Sequence, residues 1–248
     1  MGAPASRSEP IRIAVHGTGR MAKAIAGVVA AGERPDISLV ALVGPAQPDW
    51  ETDVAWRASL DELVAKPDLL IDFTLPEGTL AAAAWCRTRG VALLSGVTGL
   101  APPVHEALRA SAAAVPVLWS PNLSLGVNLL AELAGRAAAV LDADVPVVIE
   151  DIHHQWKKDA PSGTALMLGA AVAEQRAGDQ SAIEYRSVRE GEVIGEHTVT
   201  FRLAGEEFGL AHRACDRTIY ALGALDAGKW LVNQPAGLYS ARDWLARR

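Results

Sequence analysis

The sequence predicts an α/β protein in which an N-terminal doubly wound parallel sheet is joined to a smaller α+β domain with a mixed sheet. Three observations point there. Short apolar runs alternate with Ala- and Leu-rich helical stretches through the first half of the 248-residue chain, as buried parallel strands and crossover helices do. A glycine-rich turn directly follows the first apolar run and opens the first helical stretch. Past Leu125 the alternation stops, and strand-like runs succeed one another without helices between them.

In chain order, Ile11 to Val15 reads as a buried strand, and His16-Gly17-Thr18-Gly19-Arg20-Met21-Ala22 leads into an Ala/Val-rich helix ending near Ala31. Ile37 to Val43 is the second strand. Ser59-Leu60-Asp61-Glu62 has the form of a capping box opening a short helix. Leu69 to Phe73 is the next strand, and Pro76 to Arg89 a helix stopped by Gly90. Val91 to Ser95 ends in Gly96-Val97-Thr98-Gly99. A helix from about Pro103 to Ala114 precedes strand Val115 to Trp119 and the loop Ser120-Pro121-Asn122-Leu123-Ser124. A long helix then runs to about Leu141, followed by strand Val145 to Ile149, a charged loop, and a helix starting near Thr164. The strand-like runs of the second domain are Ile183–Val188, His197–Leu203 and Glu207–His212. The tail is helical over Thr218 to Trp230 and Ala241 to Ala246, with Ser240 as N-cap, and is expected to return to the first domain. The boundaries expected are 1–124, completed by 217–248, and 125–216.

Gly17 to Ala22 is G-x-G-x-x-A in strand-to-helix context, which predicts dinucleotide binding on a Rossmann-like sheet. Gly17 permits the tight turn, Gly19 lets the backbone approach a pyrophosphate, and Ala22 allows close helix–strand packing. Ligands of such sheets gather at the carboxyl ends of the strands. Asp72-Phe73-Thr74, the Gly96–Gly99 loop and Pro121-Asn122 are therefore expected to line the same cleft as Gly17–Met21. The second strand ends Leu42-Val43-Gly44-Pro45, with neither the acid nor the arginine that would grip a ribose, and Asp49 and Glu51 follow too late. NADH and NADPH stand as equal alternatives.

The richest segment runs from Asp151 to Thr164. Of six histidines and five lysines in the chain, His153, His154, Lys157 and Lys158 fall within six residues. Imidazole can hand over a proton near neutral pH, and a lysine offers a compact charge to a carboxylate, or a proton if its pKa is lowered. Ser162-Gly163-Thr164 opens a helix whose first-turn N–H groups and dipole attract an anion. Together these describe a pocket that binds a dianion and protonates it, against the plainer alternative of a capped helix behind a solvated loop. A metal site is disfavoured, because adjacent histidines point apart on an extended chain and no thiol or HxxxH spacing completes a ligand set.

Half of the residues are hydrophobic, yet no run approaches the ~18–20 apolar residues of a membrane span. The first ten residues read as a loose leader rather than a signal peptide. A net charge of −6 argues against nucleic acid as a partner. Cys86 and Cys215, two thiols far apart, suit a cytoplasmic protein with reduced cysteines.

Over nearly its whole length the chain resembles the 4-hydroxy-tetrahydrodipicolinate reductases, formerly dihydrodipicolinate reductases, of bacterial lysine and diaminopimelate synthesis. The matching stretches are Gly17–Met21, Ile71–Glu77, Gly96–Gly99, Pro121–Asn128, His153–Thr164, Gly195–Val199 and Gly237–Ser240. The His-His-x-x-Lys-x-Asp-Ala-Pro-Ser-Gly-Thr signature is the specific one. The resemblance implies NADH or NADPH in the first domain and hydride delivery to the conjugated imine of a cyclic dicarboxylate. It assigns His153 as general acid and Lys157 as a substrate-binding group that assists protonation, while His154, Gly163 and Thr164 hold the carboxylates. It assigns Gly17, Thr18, Gly19, Arg20, Met21 and Phe73 to the cofactor, with Gly96, Thr98, Pro121 and Asn122 around its nicotinamide end. It further implies a homotetramer assembled through the second domain's sheet, and a hinge that closes on substrate.

Three departures all touch the cofactor side. The glycine loop is one residue shorter than in many members, Val97 replaces a common threonine, and Val43 stands where many carry a ribose-binding acid. The alternatives are a relative reducing a different cyclic imine acid and a non-catalytic nucleotide sensor on the same fold. A thiol-based dehydrogenase is disfavoured because Cys86 sits in an Ala-rich helix.

Overall fold

Strand β1 (Ile11–His16) buries Ile11, Ile13, Ala14 and Val15 inside a seven-stranded sheet of a computed structural model that describes residues 9–246. Most of the leader expected in the first ten residues lies outside the described residues. The other strands are β2 (Ile37–Val43), β3 (Trp56–Arg57), β4 (Leu69–Asp72), β5 (Ala92–Ser95), β6 (Pro116–Trp119) and, from the tail, β11 (Gly237–Tyr239). Every pairing is parallel, in the order β11-β6-β5-β4-β1-β2-β3. Strand order reverses between β1 and β4, so the crevice where such sheets bind ligands opens beyond His16 and Asp72.

All residues of β4 and β5 are buried, as expected of strands covered on both faces. Each fully buried Leu or Ile there contributes about 1.5–3 kcal/mol over an exposed one. Helices α1 (Arg20–Ala30), α2 (Pro76–Arg89) and α3 (Pro102–Ala112) connect them. Pro76 at the start of α2 gives up only an N–H that a helix leaves unpaired, and Gly90 ends it at φ 64°. Small residues bring α2 and α3 together closely enough for Ser111 Oγ to donate to the Ala83 carbonyl at 2.8 Å. The expected capping box at Ser59 does not form. Leu60–Glu62 is one 3₁₀ turn, and the Glu62 N–H that the Ser59 hydroxyl would have capped goes to the Ser59 carbonyl instead, at 3.2 Å.

A second unit, Ser124–Ile219, carries α4 (Leu125–Val140), β7 (Val147–His153), α5 (Gly163–Glu174), β8 (Ile183–Arg189), β9 (Glu196–Leu203) and β10 (Glu206–Arg213). Helix α6 (Thr218–Leu231) leads back to the first unit, which also holds α7 (Ala241–Leu245), capped by a box between Ser240 and Asp243. The four strands run β10-β9-β7-β8, parallel between β7 and β8 and antiparallel elsewhere, hence a mixed sheet. Val147, Ile149, Val199 and Phe201 share one face of it and pack on Leu130, Ala134, Ala165, Leu168 and Val172 of α4 and α5. None of the described helices is long and apolar enough to cross a membrane.

Strand β7 runs four residues past Ile149, so the first part of the expected charged loop is strand. Period-2 alternation carries the helix-covered face onward from Val147 and Ile149 to Asp151 and His153. Register sets Ser187 and Arg189 of β8 beside them, His197 of β9 opposite Asp151, and His212 of β10 opposite His197. An apolar core face thus becomes a titratable one at one end of the sheet.

Candidate active site

In the first unit, a cavity of about 410 Å³ is lined by Gly17, Gly19, Arg20, Met21, Phe73, Thr74, Gly96, Val97 and Thr98 among others. It brings together most of the residues expected there; Thr18, Pro121 and Asn122 stand outside its lining. Gly17 has φ +121°, and a Cβ on it would meet the Phe73 carbonyl oxygen at 3.0 Å. A Cβ on Gly96 would collide with the Phe73 ring, so that glycine sets how the ring lies on the cavity wall. Nothing stands within 4 Å of a Cβ placed on Gly19, which leaves the N-terminus of α1 open to a phosphate. These features fit a dinucleotide.

Asp72, fully buried below this cavity wall, ties its parts together. Its carboxylate accepts from Thr74 Oγ1 at 2.6 Å, Thr79 Oγ1 at 2.7 Å and Ser95 Oγ at 3.0 Å, joining the ends of β4 and β5 to the start of α2. Burial alone would raise the Asp72 carboxyl, but the adjacent His16 ring and the Thr74 and Thr79 hydroxyls hold it below its ordinary range. Trp119 Nε1 donates to the Val97 carbonyl at 2.9 Å and Trp50 Nε1 to the Thr18 carbonyl at 3.0 Å, fixing two loops.

In the second unit, His153 is buried and its Nδ1 lies 3.0 Å from Asp151 Oδ1. The same carboxylate accepts from Arg189 Nη1 at 2.8 Å, Ser187 Oγ at 2.6 Å and the Ser162 N–H at 3.4 Å. Burial would raise the Asp151 carboxyl, yet the hydrogen bonds from Ser187, Ser162 and Arg189 prevail and keep it ionised. Burial, and next the charge of Lys157, push the His153 imidazole below its ordinary range, with Asp151 pulling the other way. His197 meets His153 edge-on, with ring centroids 5.1 Å apart, and burial and then His153 drive its pKa down to about 4. Gly195 lies against His153 Nε2, where a Cβ would be 3.1 Å away.

Lys157 Nζ is paired with Asp159 Oδ2 at 2.8 Å, and Ser162 caps α5 by accepting from the Ala165 N–H at 3.1 Å. That Lys157 contact, ahead of other influences, lowers the Asp159 carboxyl; the Gly163 N–H also bonds to it. Asp159 therefore sits where an external carboxylate was expected, between the lysine and the start of α5. Gly163 is exposed with open space before it, and Thr164 follows half-buried. The His154 ring lies 5.8 Å from that of Trp156, which is 63% exposed and so is no core residue.

Sequence reasoning began the rich segment at Asp151 and matched the Gly195–Val199 stretch but gave Asp151, Gly195 and His197 no role, and it missed Arg189 altogether. The available signal was period 2: a strand whose buried positions run Val147, Ile149, Asp151, His153 keeps its inward face while changing chemistry.

The chain matches the model for the N-terminus of dihydrodipicolinate reductase over residues 11–123 and the model for its C-terminus over 126–245. A 4-hydroxy-tetrahydrodipicolinate reductase of Stenotrophomonas maltophilia is 43% identical over 244 residues, covering 95% of this chain and 98% of that protein. A protein of the same name from Xanthomonas euvesicatoria is 41% identical over 239 residues, with coverage of 94% and 97%. Among solved structures, a dipicolinate-bound dihydrodipicolinate reductase from Paenisporosarcina superposes with a TM-score of 0.78 at 24% identity, covering 93% of this chain and 97% of that one.

Proposed function

The chain belongs to the dihydrodipicolinate reductase family, and from that membership we propose how its own residues perform the reaction. The reaction is the NAD(P)H-dependent reduction of 4-hydroxy-tetrahydrodipicolinate to tetrahydrodipicolinate, in diaminopimelate and lysine biosynthesis. The ring gains a hydride and a proton while its hydroxyl leaves as water.

The Gly17–Met21 loop and the N-terminus of α1 would hold NADH or NADPH, with Phe73, Gly96, Thr98, Pro121 and Asn122 toward its nicotinamide end, and the bound coenzyme would supply the hydride. His153 acts as general acid and delivers its proton from Nε2. Lys157 binds a substrate carboxylate and assists protonation, and His154, Gly163 and Thr164 hold the dicarboxylate. Asp159 occupies the lysine until substrate arrives, so the incoming carboxylate exchanges one anion for another and leaves no buried charge unpaired. The observation that carries these roles is the buried His153, with Nδ1 engaged by a carboxylate, on the strand that leads directly to Lys157 and the start of α5. The enzyme works in the cytoplasm as a homotetramer, with residues 125–216 binding substrate and forming the oligomer; light scattering on the purified protein tests the last point.

The test of function is a coupled assay in which a synthase makes the imine from pyruvate and aspartate semialdehyde, and loss of reduced nicotinamide absorbance is followed with NADH and NADPH in parallel. Enzyme-dependent oxidation of either supports the proposal and sets the coenzyme preference. Nucleotide binding without oxidation would point to another cyclic imine acid.

A further inference from the structure

We propose that Asp151 is the positioning residue of the proton donor: it holds His153 by Nδ1, leaves Nε2 to the substrate, and ties the donor to the carboxylate-binding turn through Ser162 and Arg189. The proposal deepens the reading above and rests on His153 as the general acid.

One fully buried carboxylate here serves three elements. Oδ1 faces His153 Nδ1 and Arg189 Nη1; Oδ2 takes the Ser187 hydroxyl and the N–H of Ser162, the residue that caps α5. Arg189 Nη2 continues to the Asp159 carbonyl, so the segment carrying Lys157 hangs from the same group. An anion at Nδ1 requires a proton there. When Nε2 gives up its proton, the neutral ring keeps Nδ1–H toward Asp151, and Nε2 stays aimed and ready to be protonated again. The Nε2 edge is the one beside Gly195, where any side chain would crowd it.

The charged and titratable groups facing the ring differ in sign. Asp151 lies on its own strand, Arg189 comes from β8, Lys157 from the following loop, and His197 from β9 with His212 beyond it at 6.2 Å between centroids. Asp151 stabilises imidazolium; Arg189 and Lys157 oppose it. A purely structural ion pair between Asp151 and Arg189 predicts that removing either partner damages the fold in the same way. A positioning role predicts opposite effects on the titration of His153.

The experiment compares Asp151→Asn and Arg189→Met with wild type in pH profiles of kcat, alongside coenzyme Kd from nicotinamide fluorescence. The acid form of His153 is active, so activity falls as pH rises through its pKa. Asp151→Asn should lower kcat by roughly 10²–10⁴-fold and move that fall to lower pH. Arg189→Met should lose less and move the fall to higher pH. Coenzyme Kd should be unchanged in both. A readout independent of turnover is ¹⁵N-histidine NMR of the wild-type enzyme, where neutral His153 should carry its proton on Nδ1. A neutral ring protonated on Nε2 would overturn the proposal, as would two variants shifting the profile in the same direction or not at all. If Asp151→Asn does not fold, the NMR spectrum and Arg189→Met decide. If wild type fails to reduce the imine, the functional reading falls while the tautomer still tests the positioning.

Discussion

Replacing Gly195 by alanine would set a methyl group 3.1 Å from His153 Nε2 and 3.5 Å from both His153 Cδ2 and His197 Cε1. Comfortable non-bonded contacts lie near 3.5–4.0 Å, so the imidazole must yield by about half an ångström. It has little room, because Asp151 holds Nδ1 at 3.0 Å and His197 abuts its edge. A proton donor works within about 2.6–3.2 Å of its acceptor, and misplacement by about 1 Å costs roughly 10²-fold. A displacement half that size, with partial shielding of Nε2, should lower kcat by about 10- to 100-fold. Two effects on stability oppose each other: alanine restricts the unfolded chain, worth about 0.4–1 kcal/mol, and crowding costs about 1–3 kcal/mol. A modest net loss is expected, too small to unfold the protein. Steady-state kinetics, coenzyme Kd and thermal melting of Gly195→Ala separate these effects. A folded variant with wild-type kcat would show that Nε2 of His153 is not the reacting atom.

His153→Ala should lower kcat by roughly 10²–10⁴-fold while coenzyme affinity holds; an unchanged rate removes His153 from the mechanism. Thr164→Val should weaken substrate binding, read as a raised KM for 4-hydroxy-tetrahydrodipicolinate, but leave NAD(P)H binding alone, and equal weakening of both would break the assignment. Gly96→Ala should do the converse, raising coenzyme Kd by pushing the Phe73 ring into the cavity, with the KM for the dicarboxylate substrate unchanged. The low pKa of His197 makes stability pH-dependent. Unfolded histidine titrates near ~6.5 and buried His197 near about 4, so between these values the unfolded chain binds more protons. Stability should be intact above the upper value and fall as pH drops toward the lower, by at most about 1.4 kcal/mol per pH unit. Urea titrations of His197→Gln should show a shallower decline than wild type; equal slopes would mean that His197 titrates normally.

The parts of this protein legible in its sequence are those decided within a few residues. The G-x-G-x-x-A turn, the Pro76 start and Gly90 stop of α2, and the Ser240 cap of α7 each depend on local backbone chemistry, and all appear where expected. Strands β3 and β11 were not legible: two and three residues long, they carry too little pattern and exist because β2 and β6 offer them an edge.

The cluster around His153 divides along the same line. His153, Lys157 and the start of α5 stand out in the sequence because their residue types crowd into one segment, and charge density needs no partner to be noticed. Asp151 opens the charged segment, so from the sequence the strand is placed to end at Ile149. Its stability there comes from Ser187 and Arg189, 36 and 38 residues away, which reach it only once β8 lies parallel to β7 in register. His197 likewise meets His153 only across the antiparallel pairing with β9. Residue chemistry offered both His153 and Lys157 as proton donors, and only the family resemblance ranked them; strand register, a property of the whole sheet, decided that Ser187 and Arg189 of β8 hold Asp151 as a buried carboxylate beside the His153 ring.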